Sequence, residues 1–107
     1  MTGNEYQKLA ARTIKRALRR IDKENHALFG MASEVGEIHG IYQKCYQGHV
    51  INDGDLKHEL GDLLWFIAEF CTVNSWDLEE IMQMNIDKLK KRYPEGFSEE
   101  KSINRAE

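Results

Sequence analysis

Apolar residues recur every three or four positions through four stretches of the chain, a spacing that predicts amphipathic α-helices. These stretches cover residues 4–24, 26–46, 55–74 and 77–92. A short polar segment with glycines separates the second stretch from the third, and Pro94 follows the last. The sequence therefore predicts an all-α fold, a four-helix bundle joined by short loops.

The third predicted helix is apolar on nearly every side. Its residues 63–73 contain one charged side chain, Glu69, and the run is shorter than the roughly 20 residues that a membrane-spanning helix needs. We expect no membrane association, so this helix must be buried on several faces. A chain of 107 residues offers little else to cover it, and we therefore expect a homo-oligomer, either a dimer or a tetramer.

The fourth predicted helix has clear signals at both ends. Asp77 is expected to be its N-cap, with Glu80 completing a capping box, and Pro94 with Gly96 ends it. Residues 94–107 are then a polar C-terminal tail. Because no linker or repeat interrupts the pattern, residues 1–107 are expected to form a single helical domain.

Two matched pairs of acidic residues lie inside the second and third predicted helices. Glu34 and Glu37 form one pair, and Glu59 and Asp62 form the other. Residues three apart project from the same face of a helix, and no Lys or Arg stands three or four positions away from any of the four. Since a buried and unpaired charge is costly, a divalent cation held between the two helices would stabilise all four carboxylates.

A glycine precedes the last acid of each pair. Gly36 and Gly61 occupy equivalent places, and a glycine in the middle of a helix costs about 1 kcal/mol relative to alanine. The repeated cost predicts that the two helices approach closely at these glycines.

Carboxylate ligands indicate which metal the site would hold. Hard oxygen donors suit Mg²⁺, with Mn²⁺ as a possible substitute, and Mg²⁺ commonly binds substrate phosphates together with a few carboxylates. The segment from His58 to Asp62 lacks the second histidine of a helical zinc-protease motif, and the chain has no Glu-x-x-His pair of the kind found in di-iron bundles. The spacing alone also allows structural acids that pair across subunits.

Composition and charge limit the remaining possibilities. The chain has 31% charged residues, a net charge of −3 and no N-terminal targeting pattern, so we expect a cytoplasmic protein. Residues 1–24 nevertheless carry seven basic and three acidic side chains. A basic first helix could bind nucleic acid, but a solvated helix face is the more ordinary interpretation, and we consider nucleic acid an unlikely partner.

Three motifs together resemble a known family. They are Ala32-Ser33-Glu34-Val35-Gly36-Glu37-Ile38, Glu59-Leu60-Gly61-Asp62-Leu63-Leu64-Trp65 and the segment of residues 85–97 that begins Asn85-Ile86-Asp87-Lys88. The sequence is similar, in this order and from about Tyr6 to Arg105, to the MazG-like all-α nucleoside triphosphate pyrophosphohydrolases.

The resemblance implies a Mg²⁺-dependent enzyme that hydrolyses a nucleoside triphosphate between its α and β phosphates, releasing the monophosphate and pyrophosphate. The residues that it implies as metal ligands and catalytic groups are Glu34, Glu37, Glu59 and Asp62.

The resemblance also implies residues that contact the substrate. Asn85, Lys88 and Arg92 match polar positions near the substrate in the family. Lys44, seven residues after Glu37 on the same helix face, is a further candidate for phosphate contacts.

Some features leave alternatives open. Some family members carry an additional glutamate where this chain has Ser33, so the number of metal ions and the general base are not fixed by the resemblance. One alternative is a phosphoribosyl-ATP pyrophosphohydrolase, which has a similar fold and chemistry. Another is a non-enzymatic helical dimer that binds nucleic acid through its basic first helix.

Overall fold

Five α-helices make up the regular structure of residues 1–105, the part of the chain that the computed structural model describes. They are α1 (Gly3–Ala11), α2 (Arg20–Cys45), α3 (Asp53–Val73), α4 (Leu78–Arg92) and α5 (Glu99–Ile103). The predicted all-α fold is confirmed. The predicted second, third and fourth helices correspond to α2, α3 and α4, with ends that differ by up to six residues.

The prediction of one continuous first helix over residues 4–24 is wrong. Helix α1 ends at Ala11, residues 12–19 form turns, and residues 20–24 belong to α2. The side chain of Thr13 helps to end α1, because its hydroxyl donates to the Ala10 carbonyl at 2.8 Å. The same hydroxyl accepts a hydrogen bond at 2.9 Å from the indole N–H of Trp65 on α3. The apolar spacing continues through this break, so periodicity could not detect it.

Helices α2 and α3 pack against each other as an antiparallel pair. The Asn52 side chain caps α3 by accepting hydrogen bonds from the N–H groups of Gly54 and Asp55. The helices are in tight contact where Gly30 of α2 meets the ring of Phe66 of α3, because a Cβ atom on Gly30 would overlap that ring.

The close approach predicted at Gly36 and Gly61 is wrong. A Cβ atom added to either glycine would have nothing within 4 Å in the described chain. Both glycines therefore face open space in a single copy of the chain, although each directly neighbours an acidic residue.

Helix α4 is anchored by side chains of α1 rather than by its own cap. Asp77 is the N-cap residue as predicted, but its side chain makes no capping hydrogen bond. The first N–H groups of α4 are satisfied by Gln7, which accepts from Leu78 N–H at 2.7 Å, and by Asn4, which accepts from Glu79 N–H at 3.4 Å. The predicted capping box therefore does not start this helix.

The predicted polar tail contains a short helix. The Ser98 side chain accepts from the N–H of Lys101 and caps α5, and the rings of Tyr93 and Phe97 lie 5.3 Å apart before it. The described residues therefore form five helices, one more than the four predicted. Residues 106 and 107 of the predicted tail lie outside the described residues.

The helices of one copy form an open row rather than a closed four-helix bundle. Helix α3 contacts both α2 and α1, whereas α4 contacts mainly α1. The nine residues of α1 cover only part of α3, because the break at residues 12–19 removes the rest of the predicted first helix. The radius of gyration is 17.1 Å, whereas a compact chain of this size has about 13 Å.

Large apolar side chains are exposed on this open arrangement. Phe29 on α2 is 70% exposed and Met84 on α4 is 63% exposed, while the buried apolar residues among those described are only Ala27, Ala68, Cys71 and Leu78. Within the described residues, we find no helix with the length and apolar character to cross a membrane.

Candidate metal centre

Three of the four predicted acids converge between α2 and α3. Glu34 projects from α2, and Glu59 and Asp62 project from the first half of α3. One carboxylate oxygen from each lies within 4.8 Å of the others. The convergence follows from the antiparallel packing, which places the middle of α2 beside the beginning of α3.

The carboxyl group of Glu34 cannot ionise easily in this arrangement. A hydrogen bond with Glu59 and partial burial raise the pKa of Glu34 to about 7, and the charges of Asp62 and Glu37 add to the shift. Near neutral pH, Glu34 therefore keeps its proton in a substantial fraction of the metal-free protein.

A divalent cation fits this group of carboxylates. The Oε2 atom of Glu34 is buried and has no hydrogen-bond partner, although a buried polar atom normally has one. A cation beside it would supply the missing partner and would replace the proton of Glu34. Three carboxylates offer hard oxygen ligands, which Mg²⁺ and Mn²⁺ prefer over the nitrogen and sulfur ligands that favour zinc.

Glu37 stands apart from the other three acids. It lies one helical turn beyond Glu34, is exposed, and is not among the carboxylates that converge. Its charge nevertheless contributes to the raised pKa of Glu34. Its predicted role as a fourth ligand stays a prediction.

The residues of α4 that are predicted to contact the substrate do not lie on the helices that carry the acids. Asn85 and Lys88 border a shallow surface cavity with Ile81 and Met84, and Arg92 is the last residue of the helix. Helix α4 is held mainly by α1, whereas the acids lie on α2 and α3. Their contact with substrate stays a prediction.

Lys44 lies in the last turn of α2 and is exposed. Lys44 follows Glu37 by seven positions, which corresponds to about 10 Å along the helix axis. Lys44 is therefore placed near the end of α2 rather than among the converging acids, and its role also stays a prediction.

Tyr6 of α1 lies close enough to Asp62 to be affected by its charge. Partial burial and the negative charge of Asp62 raise the pKa of its hydroxyl. The sequence did not identify Tyr6 as a neighbour of the acids, because nothing local predicts which face of α3 receives α1.

A second polar pair across α2 and α3 was missed at the level of sequence. The Nδ1 atom of His26 lies 2.9 Å and 3.0 Å from the two carboxylate oxygens of Glu69, which is buried. The sequence feature that could have indicated this contact was Glu69, an acidic residue inside an otherwise apolar run. The partner could not be identified because it lies 43 residues away in the chain.

Comparisons with known proteins agree with the geometry. A family model described as the MazG nucleotide pyrophosphohydrolase domain matches residues 17–97, a range that contains all four acids. The chain is 30% identical over 90 residues to the Gene 37 protein of Mycobacterium phage L5, covering 79% of each chain. No solved structure matches it. A match over this much of the sequence establishes that the chain belongs to the MazG nucleotide pyrophosphohydrolase family.

Proposed function

We propose that this protein is a Mg²⁺-dependent nucleoside triphosphate pyrophosphohydrolase, which hydrolyses a ribo- or deoxyribonucleoside triphosphate between its α and β phosphates. The products are the nucleoside monophosphate and pyrophosphate. The observation that carries the proposal is the convergence of Glu34, Glu59 and Asp62 within a matched MazG domain. Mn²⁺ has the same ligand preference and is expected to substitute for Mg²⁺.

The carboxylates affect this chemistry in two ways: they make a cation necessary for triphosphate binding, and they must be ionised to bind that cation. Together Glu34, Glu59 and Asp62 form a negative site in which a triphosphate can be bound only with a cation between it and the protein. A bound Mg²⁺ supplies charge neutralisation for the phosphates and acidifies a coordinated water. Glu34 must lose its proton before it can act as a ligand, because carboxylates bind metal in their ionised form.

Glu37 is the residue best placed to complete the site. It is exposed and lies one helical turn from Glu34, so a change of its side-chain rotamer would be enough to bring its carboxylate nearer to the converging acids. We propose it as the fourth ligand implied by the family resemblance.

Basic and polar residues are proposed to hold the phosphates. Lys88 and Arg92 carry positive charge in the second half of α4, and Asn85 precedes Lys88 by one turn. Such groups are suited to neutralising the charge that develops on the phosphates in the transition state. Lys44 is proposed as a further phosphate contact.

A homo-oligomer, a dimer or a tetramer, is supported by the apolar surface of one copy. The seven-residue spacing of Leu28, Val35 and Tyr42 puts these partly exposed side chains on one side of α2. Helix α4 exposes Ile81 and Met84 among its own apolar residues. Because large apolar side chains are exposed on both helices, we propose that a second copy of the chain covers them.

The two alternative functions differ in their support. A phosphoribosyl-ATP pyrophosphohydrolase would use the same acids and is distinguished only by its substrate. The nucleic-acid-binding alternative is less well supported, because residues 12–19 interrupt the basic helix and Arg19 and Arg20 pair with Asp22 and Glu24. Because free nucleotides are abundant in the cytoplasm, the proposed activity is consistent with a cytoplasmic location.

The test is product analysis by chromatography. The purified protein is incubated with Mg²⁺ and a panel of canonical and modified nucleoside triphosphates, and with phosphoribosyl-ATP. We expect a monophosphate and pyrophosphate from the wild type and no turnover from Asp62→Asn, which removes a charge at constant size. Asp53→Asn, an exposed acid on the same helix, is the matched control and is expected to remain active. Diphosphate and phosphate as products would contradict the proposed site of cleavage.

A further inference from the structure

The pair formed by His26 and Glu69 is built like the positioning pair of a functional histidine. The Glu69 side chain is only 2% exposed, and both of its carboxylate oxygens lie within 3.0 Å of His26 Nδ1. The His26 side chain, in contrast, is 52% exposed. A buried carboxylate thus fixes an imidazole ring that is about half exposed to solvent.

The carboxylate also determines which ring nitrogen remains available. A carboxylate can only accept hydrogen bonds, so when Glu69 is ionised the Nδ1 atom of His26 is the donor in this pair. In the neutral ring, Nε2 is then a free acceptor. If the pair served only to join α2 and α3, apolar residues of similar volume would do so at least as well, because burying a carboxylate carries a large desolvation cost.

Two further cross-helix pairs connect this histidine to the acids. The antiparallel register pairs Glu34 with Asp62, then Gly30 with Phe66 one turn further along, and then His26 with Glu69. The eight residues from Glu34 back to His26 correspond to about 12 Å of helix. This separation is comparable to the distance between the phosphates of a nucleotide and the far edge of its base.

Aromatic rings surround the fixed imidazole. The ring of Trp65 lies 6.3 Å from that of His26 and the ring of Phe66 lies 5.6 Å from it. The indole N–H of Trp65 is already used by Thr13, so the half-exposed imidazole of His26 is the polar group of this cluster that remains available. Aromatic surface with one oriented polar group is the usual composition of a site for a flat heterocyclic ligand.

We propose that His26, oriented by Glu69, contacts the base of a nucleoside triphosphate whose phosphates are held at the acids, and thereby determines which bases are accepted. Its Nε2 atom accepts a hydrogen bond from an N–H group of the base. This assignment rests on the proposed nucleotide-binding function of the acids. Glu69 is a positioning residue, since it acts through His26 and does not itself reach the ligand.

The test measures binding rather than turnover. Isothermal titration in Mg²⁺ gives the Kd of each of the four α,β-imido ribonucleoside triphosphates, which resist cleavage at the proposed bond, and of tripolyphosphate, which has no base. The main variant is His26→Asn, whose amide can still donate to Glu69 but has nothing in place of Nε2. A second variant, His26→Phe with Glu69→Leu, keeps a ring and leaves no buried carboxylate unpaired. His49→Phe changes an exposed loop histidine and is the matched control.

The expected result is a loss of base discrimination alone. The wild type should prefer one base, and both His26 variants should raise the Kd for that nucleotide about tenfold, the size expected for one lost hydrogen bond. The Kd for tripolyphosphate should not change, and His49→Phe should behave like the wild type. Unchanged base preference in either folded His26 variant would overturn the proposal, as would equal binding of all nucleotides by the wild type.

The result also separates this proposal from the proposed enzymatic function. Base-dependent binding that requires His26, without hydrolysis of natural nucleotides, would support the base site and contradict the hydrolase. Hydrolysis with a base preference that does not depend on His26 would support the hydrolase and contradict the base site. If neither the nucleotides nor tripolyphosphate bind, both proposals are wrong.

Discussion

Gly30 of α2 lies directly against the phenyl ring of Phe66 of α3, in a position where a Cβ atom would overlap the ring. This contact lies one helical turn from the converging acids on both helices, and one turn from the pair formed by His26 and Glu69. The spacing of α2 and α3 at the metal centre therefore depends on the absence of a side chain at Gly30.

We predict opposite effects of two glycine substitutions on the same helix. Gly30→Ala should lower the free energy of unfolding by about 1–3 kcal/mol, because Phe66 must move to make room. Gly36→Ala should raise it by up to about 1 kcal/mol, because the new Cβ atom meets nothing within 4 Å and alanine favours helix. Urea unfolding of both variants gives the comparison. Effects of the same sign would contradict the packing of α2 on α3 described above.

A second prediction concerns the attachment of α4. The Gln7 side chain accepts from Leu78 N–H at 2.7 Å and donates to the carbonyl of Trp76 at 2.8 Å and to the hydroxyl of Thr72 at 3.2 Å. Gln7→Ala should lower the free energy of unfolding by about 1–3 kcal/mol, because the start of α4 loses its substitute cap and partly buried polar groups lose their partners.

Thermal and urea unfolding, followed by circular dichroism, measure this effect. The matched control is Gln83→Ala, which removes an exposed glutamine whose described bond is to Asp87 on the same helix. It should change stability by less than about 0.5 kcal/mol. A Gln7 variant as stable as the control would mean that α4 does not depend on α1.

The sequence predicted the helical class, three of the helices and the acids that converge. These features depend on local information, since apolar spacing and the i, i+3 geometry of an acid pair act within one helix. The break after Ala11 was not predicted, because it depends on the Thr13 hydroxyl and its bond to Trp65, 52 residues away. The predicted cap of α4 was wrong for the same reason, because Gln7, which accepts from the first N–H group of α4, is distant in sequence.

The inferred closeness of the helices at Gly36 and Gly61 was wrong for a related reason. Glycine at a helical position indicates only that a side chain is absent, and not what lies opposite. The close approach is instead at Gly30, which stands between two cross-helix polar pairs. Which glycine contacts the other helix depends on the register between α2 and α3. Neither helix sequence alone determines this register.

A third prediction concerns the effect of pH on the metal-free protein. The folded state holds a proton on Glu34 up to a pKa of about 7, whereas an unfolded chain releases it at the ordinary value of 4.5. The folded state therefore binds more protons between these values, and its stability should fall as pH rises from 4.5 to about 7. Glu34→Gln, which cannot titrate, should remove this component of the pH dependence.

Metal should reverse this trend. Since Mg²⁺ requires the ionised carboxylate, the rise in melting temperature caused by adding Mg²⁺ should grow as pH increases through about 7. Melting curves recorded in EDTA and in Mg²⁺ over this range test both statements. A Mg²⁺ effect that is constant with pH would mean that Glu34 does not exchange its proton for the metal.

The last prediction separates Glu37 from the acids that already converge. The family resemblance treats the four acids alike, but Glu37 is exposed and lies outside the group formed by Glu34, Glu59 and Asp62. We therefore expect Glu59→Gln and Asp62→Asn to weaken Mn²⁺ binding by at least about tenfold, the smallest loss usual even for residues that only support a ligand. Glu37→Gln should weaken it less, because its side chain must first move toward the others.

Titration of free Mn²⁺ by electron paramagnetic resonance measures these affinities without any substrate, and Asp53→Asn on α3 is the matched control. Repeating the titration with an α,β-imido nucleotide should enlarge the loss in Glu37→Gln if that carboxylate joins the site only when phosphates are bound. A Glu37→Gln variant with the same loss as Asp62→Asn in the absence of nucleotide would mean that all four acids hold the first metal ion together. Glu37 would then be a ligand in the resting protein, and its rotation would not be a step in substrate binding.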